Sequence, residues 1–257
     1  MEEARLKKFL DEKVKHFNRA SFIKDDPICI PHSFSKLQDI EIAGFFSAVF
    51  AWGIRKTIIA KSKELMNRMD QAPYQFCLQH TDADLKKLLQ FRHRTFNDTD
   101  LLYFISFLKY HYSRSHSLET AFTYKRNKGL FSMEDSLNNF YDYFFSLEHV
   151  PARTLKHIAA PRKKSACKRL NMYLRWMVRQ DDTGVDFGIW HTIQPMQLII
   201  PLDVHVARVA RHFKLLERKQ TDWLAAAELT NTLRAFDSKD PVKYDFALFA
   251  LGALEKF

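Results

Sequence analysis

Apolar residues in this chain recur at intervals of three and four and almost never alternate, and that periodicity leaves little besides helices to build with. The longest run, "IEIAGFFSAVFAWGI" (residues 40–54), carries one Glu and is about fifteen residues long. That suits a buried helix, not a bilayer span. Its small residues Ala43, Gly44, Ser47 and Ala48 would let a neighbour approach closely. The best strand candidate, "LIIPL" (198–202), is too short to build a sheet. An all-α protein is expected.

Helices are predicted over residues 2–18, 40–53, 55–69, 82–90, 98–113, 117–125, 133–147, 164–179, 203–215, 220–235 and 241–254. Asp39, Asp98, Ser132, Thr221 and Asp240 are the expected caps, with Pro241 at a first helical position. Residues 20–36, with two prolines, read as a loop. So does "QDDTGVDFGIWHTIQP" (180–195), which breaks the helical rhythm and holds two of the six glycines. A loop of that length suggests a site or an insertion.

With 257 residues, 46% of them apolar and 14% aromatic, the chain can bury a sizeable core. The expected organisation is one two-lobed helical unit over 1–257. A core lobe spans 37–150 and a second lobe 151–235, with 1–36 and 236–257 packed on them. Cys29, Cys77 and Cys167 are too few and too scattered for a disulfide framework or a metal site, which favours the cytoplasm. The start "MEEARLKKFLDEKVKHF" mixes acid and base at helical spacing, unlike a signal peptide. There is no HxH, HExxH, GxGxxG, Walker loop or GxSxG. No metal and no cofactor are expected.

Net charge is +10, and the excess is local. Between His149 and Asp181 stand Arg153, Lys156, Arg162, Lys163, Lys164, Lys168, Arg169, Arg175 and Arg179, without an Asp or Glu. On a helix over "ACKRLNMYLRWMVR" (166–179), Lys168, Asn171, Arg175 and Arg179, with Lys164 just before, fall within an arc of about 80°. Leu170, Tyr173, Leu174, Met177 and Val178 fill the opposite arc. The pattern reads either as a solvated surface helix or as a phosphate-binding face, flanked by Arg169 and Trp176. In "PLDVHVARVARHF" (201–213), Asp203 precedes a helix and reads first as its N-cap, a role compatible with acid/base chemistry. His205, two residues on, reads as structural.

Taken together, "KRLN" followed by "LDVH" resembles the lysine helix and aspartate of the helix-hairpin-helix DNA glycosylases, of the endonuclease III and archaeal 8-oxoguanine glycosylase type. Nearly the whole chain is also similar to an uncharacterised bacterial family, DUF2400, through "DxEIAGF", "ACKRLNxxLRWMVR", "GVDFGIW", "IPLDxHV" and "DPVKYDFALFALG". The glycosylase resemblance implies a two-lobed helical fold. It makes Lys168 a Schiff-base nucleophile and Asp203 the essential carboxylate of a glycosylase/AP lyase that removes a damaged base, an oxidised purine as first expectation. Arg162, Lys163, Lys164, Arg169, Asn171, Arg175, Arg179, Trp52 and Arg55 are the expected DNA contacts. Phe187, Trp190, His191 and His205 are the expected base pocket. The implied partner is double-stranded DNA with a damaged or abasic site, met by a monomer at the nucleoid, without a membrane. A non-catalytic DNA- or RNA-binding protein on the same scaffold is the alternative.

This chain departs from the glycosylase pattern at two points. The hairpin glycines are replaced by "IAAPRKKSA", so Lys163 and Lys164 are expected to reach phosphate through their side chains. Lys168 and Asp203 stand 35 residues apart, about twice the compact spacing, because of the 180–195 loop. "DFALFALG" resembles a helix that precedes an iron–sulfur loop, but four following cysteines are missing, and no iron–sulfur cluster is expected.

Overall fold

In the computed structural model, which describes residues 2–123, 132–255 and 257, the chain is mostly helical. The helices in chain order are α1 (Glu3–Phe17), α2 (Ala20–Ile23), α3 (Leu37–Phe50), α4 (Arg55–Arg68), α5 (Pro73–Gln79), α6 (Asp82–Lys86), α7 (Asp98–Tyr112), α8 (Glu119–Phe122), α9 (Met133–Phe144), α10 (Lys168–Val178), α11 (Val204–His212), α12 (Trp223–Phe236) and α13 (Asp245–Ala253). Short 3-10 turns fill several connections, among them Ala152–His157, Pro161–Lys163 and Pro241–Tyr244. None of the described helices is long and apolar enough to cross a membrane. The last two residues of the expected helix 117–125 fall outside the described residues.

Two units emerge. One comprises Met1–Ile23, Ser132–Glu134 and Ala160–Phe257; the other comprises Lys24–Phe131 and Asp135–Ala159. The second is built around α3, which is buried from Ile40 to Phe50. Rings from three helices meet there: Phe45 stacks on Phe104, and Phe144 packs edge-on against Phe104 at 4.7 Å. The carboxylate buried in this core is matched. Fully buried Glu41 accepts hydrogen bonds from the Tyr112 hydroxyl at 2.8 Å, the Ser117 hydroxyl and the Leu118 N–H. Such matching is what makes a buried carboxylate tolerable.

The strands are not where the sequence suggested. "LIIPL" is irregular, and the only sheet among the described residues is the two-stranded hairpin β1 (Arg92–His93) and β2 (Phe96–Asn97). Arg94 takes a left-handed conformation in its turn. Helix α5 was not anticipated, because Pro73 reads as an end when it is in fact a first helical residue.

Four expected caps are also corrected. Asn97, not Asp98, caps α7 in a reciprocal box with Asp100. Asp222, not Thr221, caps α12. Helix α3 starts at Leu37 without a side-chain cap, and Asp39 accepts the Tyr74 N–H instead. Asp240 caps nothing and bonds Arg179.

Candidate active site on helices α10, α11 and α13

The first unit holds both residues singled out for chemistry. Helix α10 begins at Lys168, after a turn in which Lys164 and Cys167 both have positive φ, 58° and 51°. These are the conformations a glycine adopts most easily, and here two larger residues adopt them. Arg162, Lys163 and Lys164 on this turn are exposed.

The expected cationic stripe of α10 does not face water. From Leu170 to Val178 every residue is buried. Asn171, Arg175 and Arg179 are only 1%, 4% and 3% exposed, so none of the three can meet a DNA phosphate as placed. Arg175 donates from Nη1 to Asp245 and from Nε to Asp186, and its guanidinium lies 4.3 Å over the Phe246 ring. Arg179 pairs with Asp181 (2.7 Å), Asp186 (3.2 Å) and Asp240 (2.8 Å). Four carboxylates from beyond residue 180 thus match the acid-free stretch before it. Asn171 donates from Nδ2 to the Ala166 carbonyl. Arg169 is half-buried, and burial lowers its pKa.

The 180–195 loop supplies the matching surface. Its Phe187 N–H donates to the Trp176 carbonyl at 2.7 Å and its Trp190 N–H to the Met177 carbonyl at 3.0 Å. Those carbonyls end α10 and lack intrahelical partners, so the loop caps the helix. Gly188, at φ 58°, runs so close to Gln180 that a Cβ would meet its side chain at 2.4 Å. Trp190 is 2% exposed and packs edge-on against Tyr173, 5.4 Å between centroids. It is a core residue and not an open base platform. Phe187 is half-buried and His191 is exposed.

Lys168 behaves differently from the arginines on its helix. It is half-buried, and it forms no ion pair among the described residues. Its Nζ lies 3.5 Å from the Met172 sulfur, one turn on. Asp203 caps α11: Oδ1 accepts the N–H groups of His205 and Val206 at 2.9 and 3.0 Å. Oδ2 accepts no hydrogen bond from the described residues. His205 is half-buried, and its backbone touches α13 at Gly252, where a Cβ would come within 2.8 Å of the His205 carbonyl. That contact fixes α13, which opens with Asp245, against α11, which follows Asp203. Burial raises the Asp245 pKa to about 6; Arg175 and Lys168 oppose the rise, while Asp203 and Asp186 add to it. Lys168 and Asp203 therefore both act on one carboxylate.

In the other unit, the α3–α4 turn bears Trp52 and Arg55. Trp52 is half-buried, with the Arg94 guanidinium 4.5 Å from its ring and His93 at its edge. Gly53, φ 108°, permits that closeness, since a Cβ there would lie 2.5 Å from Arg94 Nη1. The outward apolar residue is Ile54, 74% exposed, and not Trp52. Arg55 is half-buried. No group of three or more His, Cys, Asp or Glu among the described residues is placed to hold a metal ion.

These features define an all-helical protein with a lysine and an aspartate at the starts of two helices, braced by a buried ion-pair network. The chain belongs to the DUF2400 family, proteins of unknown function, whose family model matches residues 26–254. Neither the curated proteins nor the solved structures include a match to it.

Proposed function

We propose that the protein is a DNA base-excision glycosylase with AP-lyase activity, working through a Schiff base on Lys168 and built on a helix-hairpin-helix glycosylase scaffold. One observation carries this reading: α10 pairs Arg175 and Arg179 with carboxylates yet leaves the lysine at its start without one. A lysine kept only for charge balance would be paired in so acidic a neighbourhood. An amine meant to attack carbon must be free to give up its proton. The glycine-like conformations at Lys164 and Cys167 support a hairpin turn before α10, and exposed Arg162, Lys163 and Lys164 suit DNA phosphates.

The chemistry follows from the groups present. The target base is extruded from the duplex at a cost of a few kcal/mol. Lys168 Nζ attacks C1′ and the bond to the base breaks, the base leaving with its electron pair and taking a proton. Asp203, with Oδ1 engaged in capping, offers Oδ2 to the positive charge that develops on the sugar. Loss of a proton from nitrogen and opening of the sugar give the Schiff base, from which β-elimination nicks the strand.

Borohydride trapping on a duplex with one abasic site tests this, beside 8-oxoguanine and uracil duplexes. A covalent adduct is expected with the wild-type protein. None is expected with Lys168→Ala or Lys168→Arg, since guanidinium is not a nucleophile. Equal trapping by these variants, or no adduct with the wild type, would sink the reading and leave a nucleic-acid-binding protein.

A further inference from the structure

We propose that the β1–β2 hairpin is a DNA-contact surface: Arg92 and Arg94, with Arg153 beside the turn, bind backbone phosphates from the unit that does not carry Lys168. This rests on DNA being the ligand, as read above, and is independent of the Schiff base.

The surface follows from strand alternation. His93 is 2% exposed, and the arginines on either side of it are exposed. His93 anchors its strand, with Nε2 3.0 Å from the Phe50 carbonyl at the end of α3. On the other strand, Phe96 packs edge-on against Phe50 and His157, at 5.1 and 5.0 Å. The inward side chains therefore fix the hairpin to the core, and the outward ones of β1 and its turn are cationic.

Arg94 is held more firmly than a solvated side chain needs. Its φ is 55°, a conformation that glycine or asparagine adopts more easily in a turn. Its guanidinium lies 4.5 Å from the centre of the Trp52 ring, and Gly53 makes the room for it, since a Cβ there would meet Nη1 at 2.5 Å. A guanidinium laid against a ring keeps N–H groups at its edges for an outside acceptor. Arg153 comes to the same turn. Its Nη2 donates to the Thr95 carbonyl at 2.8 Å and lies 3.2 Å from Asp100 Oδ2, with the side chain still 40% exposed.

The nearby acids are spent elsewhere. Asp98 accepts the N–H groups of Gln90 and Thr99, each at 2.9 Å. Asp100 is fully buried, and besides Arg153 it takes the Thr154 hydroxyl and the Asn97 N–H. Arg92 and Arg94 form no ion pair among the described residues. Planar forks that are exposed, unpaired and already ordered match phosphate oxygens, and their fixed placement reduces the ordering cost of binding. Charge kept only for solubility requires none of this bracing.

The test is the salt dependence of full-chain binding to an undamaged duplex, read by fluorescence anisotropy. Replacing Arg92 and Arg94 together by Ala is expected to lower the slope of log affinity against log salt by about 1.8, the release of two phosphate contacts. Over a fourfold rise in salt the wild type then loses about tenfold more affinity than the variant. The change is expected to be alike on undamaged and abasic duplexes, since phosphates carry no sequence. Lys86→Ala with Lys109→Ala removes the same charge from exposed positions elsewhere in this unit and is expected to leave the slope unchanged. An equal fall in that control, or no fall in the arginine variant, overturns the inference. Should Arg94→Ala disturb the turn, Arg92→Glu decides alone, because the Arg92 side chain forms no hydrogen bond among the described residues. Its slope is expected to fall, and an unchanged one counts against the hairpin. If polyglutamate binds at these arginines and duplex DNA does not, the partner is an acidic protein and the inference fails. A missing borohydride adduct sinks the Schiff-base reading and leaves this result standing. A wild-type chain that does not bind duplex DNA overturns both.

Discussion

At the scale of single residues, chemical type does not reveal fate. Lys168, Arg175 and Arg179 share one helix and one charge, but the arginines are buried in ion pairs and the lysine is not. Guanidinium suits the buried positions because its planar fork serves several carboxylates at once, as Arg179 does with three. Asp186 joins both arginines. Its replacement by Ala takes one partner from each of two buried cations, which keep their other carboxylates, and is expected to cost about 1–3 kcal/mol, read from urea denaturation. A loss below about 1 kcal/mol would mean that water reaches the network. Trp190→Ala removes a ring packed on Tyr173 and is expected to cost about 3–5 kcal/mol in the same measurement. A variant of full stability with impaired base release would instead return Trp190 to the substrate pocket.

At the scale of elements, most helices were legible and α10 was read inside out. Its periodicity correctly placed one face against the core. The opposite face reads as wet or phosphate-binding because no acid stands nearby in sequence. The matching acids, Asp181, Asp186, Asp240 and Asp245, follow α10, two of them about sixty residues or more beyond Arg179. Periodicity reports that a face is charged, not whether water or carboxylates cover it. Cap errors have a similar cause: in "NDTD" and "TDW" two neighbouring residues can each cap, and the choice depends on which side chain reaches the N3 amide. Lys168 and Asp203 were legible because each opens a helix with a recognisable start. Asp245 was not, because nothing local marks a first-turn aspartate as a partner of a helix some seventy residues earlier.

The same network gives α13 a pH signature. Asp245 titrates at about 6 in the folded chain, against an ordinary 3.8. Between those values the folded protein binds a proton that the unfolded chain does not, so this group's contribution to stability rises as pH falls from above 6 towards 4. Buried His111 acts oppositely: burial depresses its pKa below 6.5, and its contribution is lost as pH falls beneath that value. The comparison of wild type with Asp245→Asn isolates the first effect. The wild-type melting temperature is expected to gain on the variant's as pH is lowered from 7.5 to 5. A constant gap would show that Asp245 does not change its protonation in this range.

At the scale of the whole molecule, the net charge of +10 retains its meaning although part of the basic span is neutralised internally. Arg175 and Arg179 are no longer available to a polyanion, which shifts the expected phosphate contacts to the exposed turn before α10. Each phosphate contact made by Lys or Arg contributes about 0.9 to the slope of log affinity against log salt concentration on duplex DNA. Replacing Arg162, Lys163 and Lys164 together by Ala is therefore expected to reduce that slope by about 2–3 and to weaken binding similarly on undamaged and abasic duplexes. Arg175→Gln should instead lower stability and leave the slope nearly unchanged, because a buried guanidinium releases no counterion from DNA. Fluorescence anisotropy across a salt series separates the two. A slope that follows Arg175 and ignores the turn would mean that α10 opens to expose its cations when DNA binds, and the sequence's first impression of that helix would then describe the bound state.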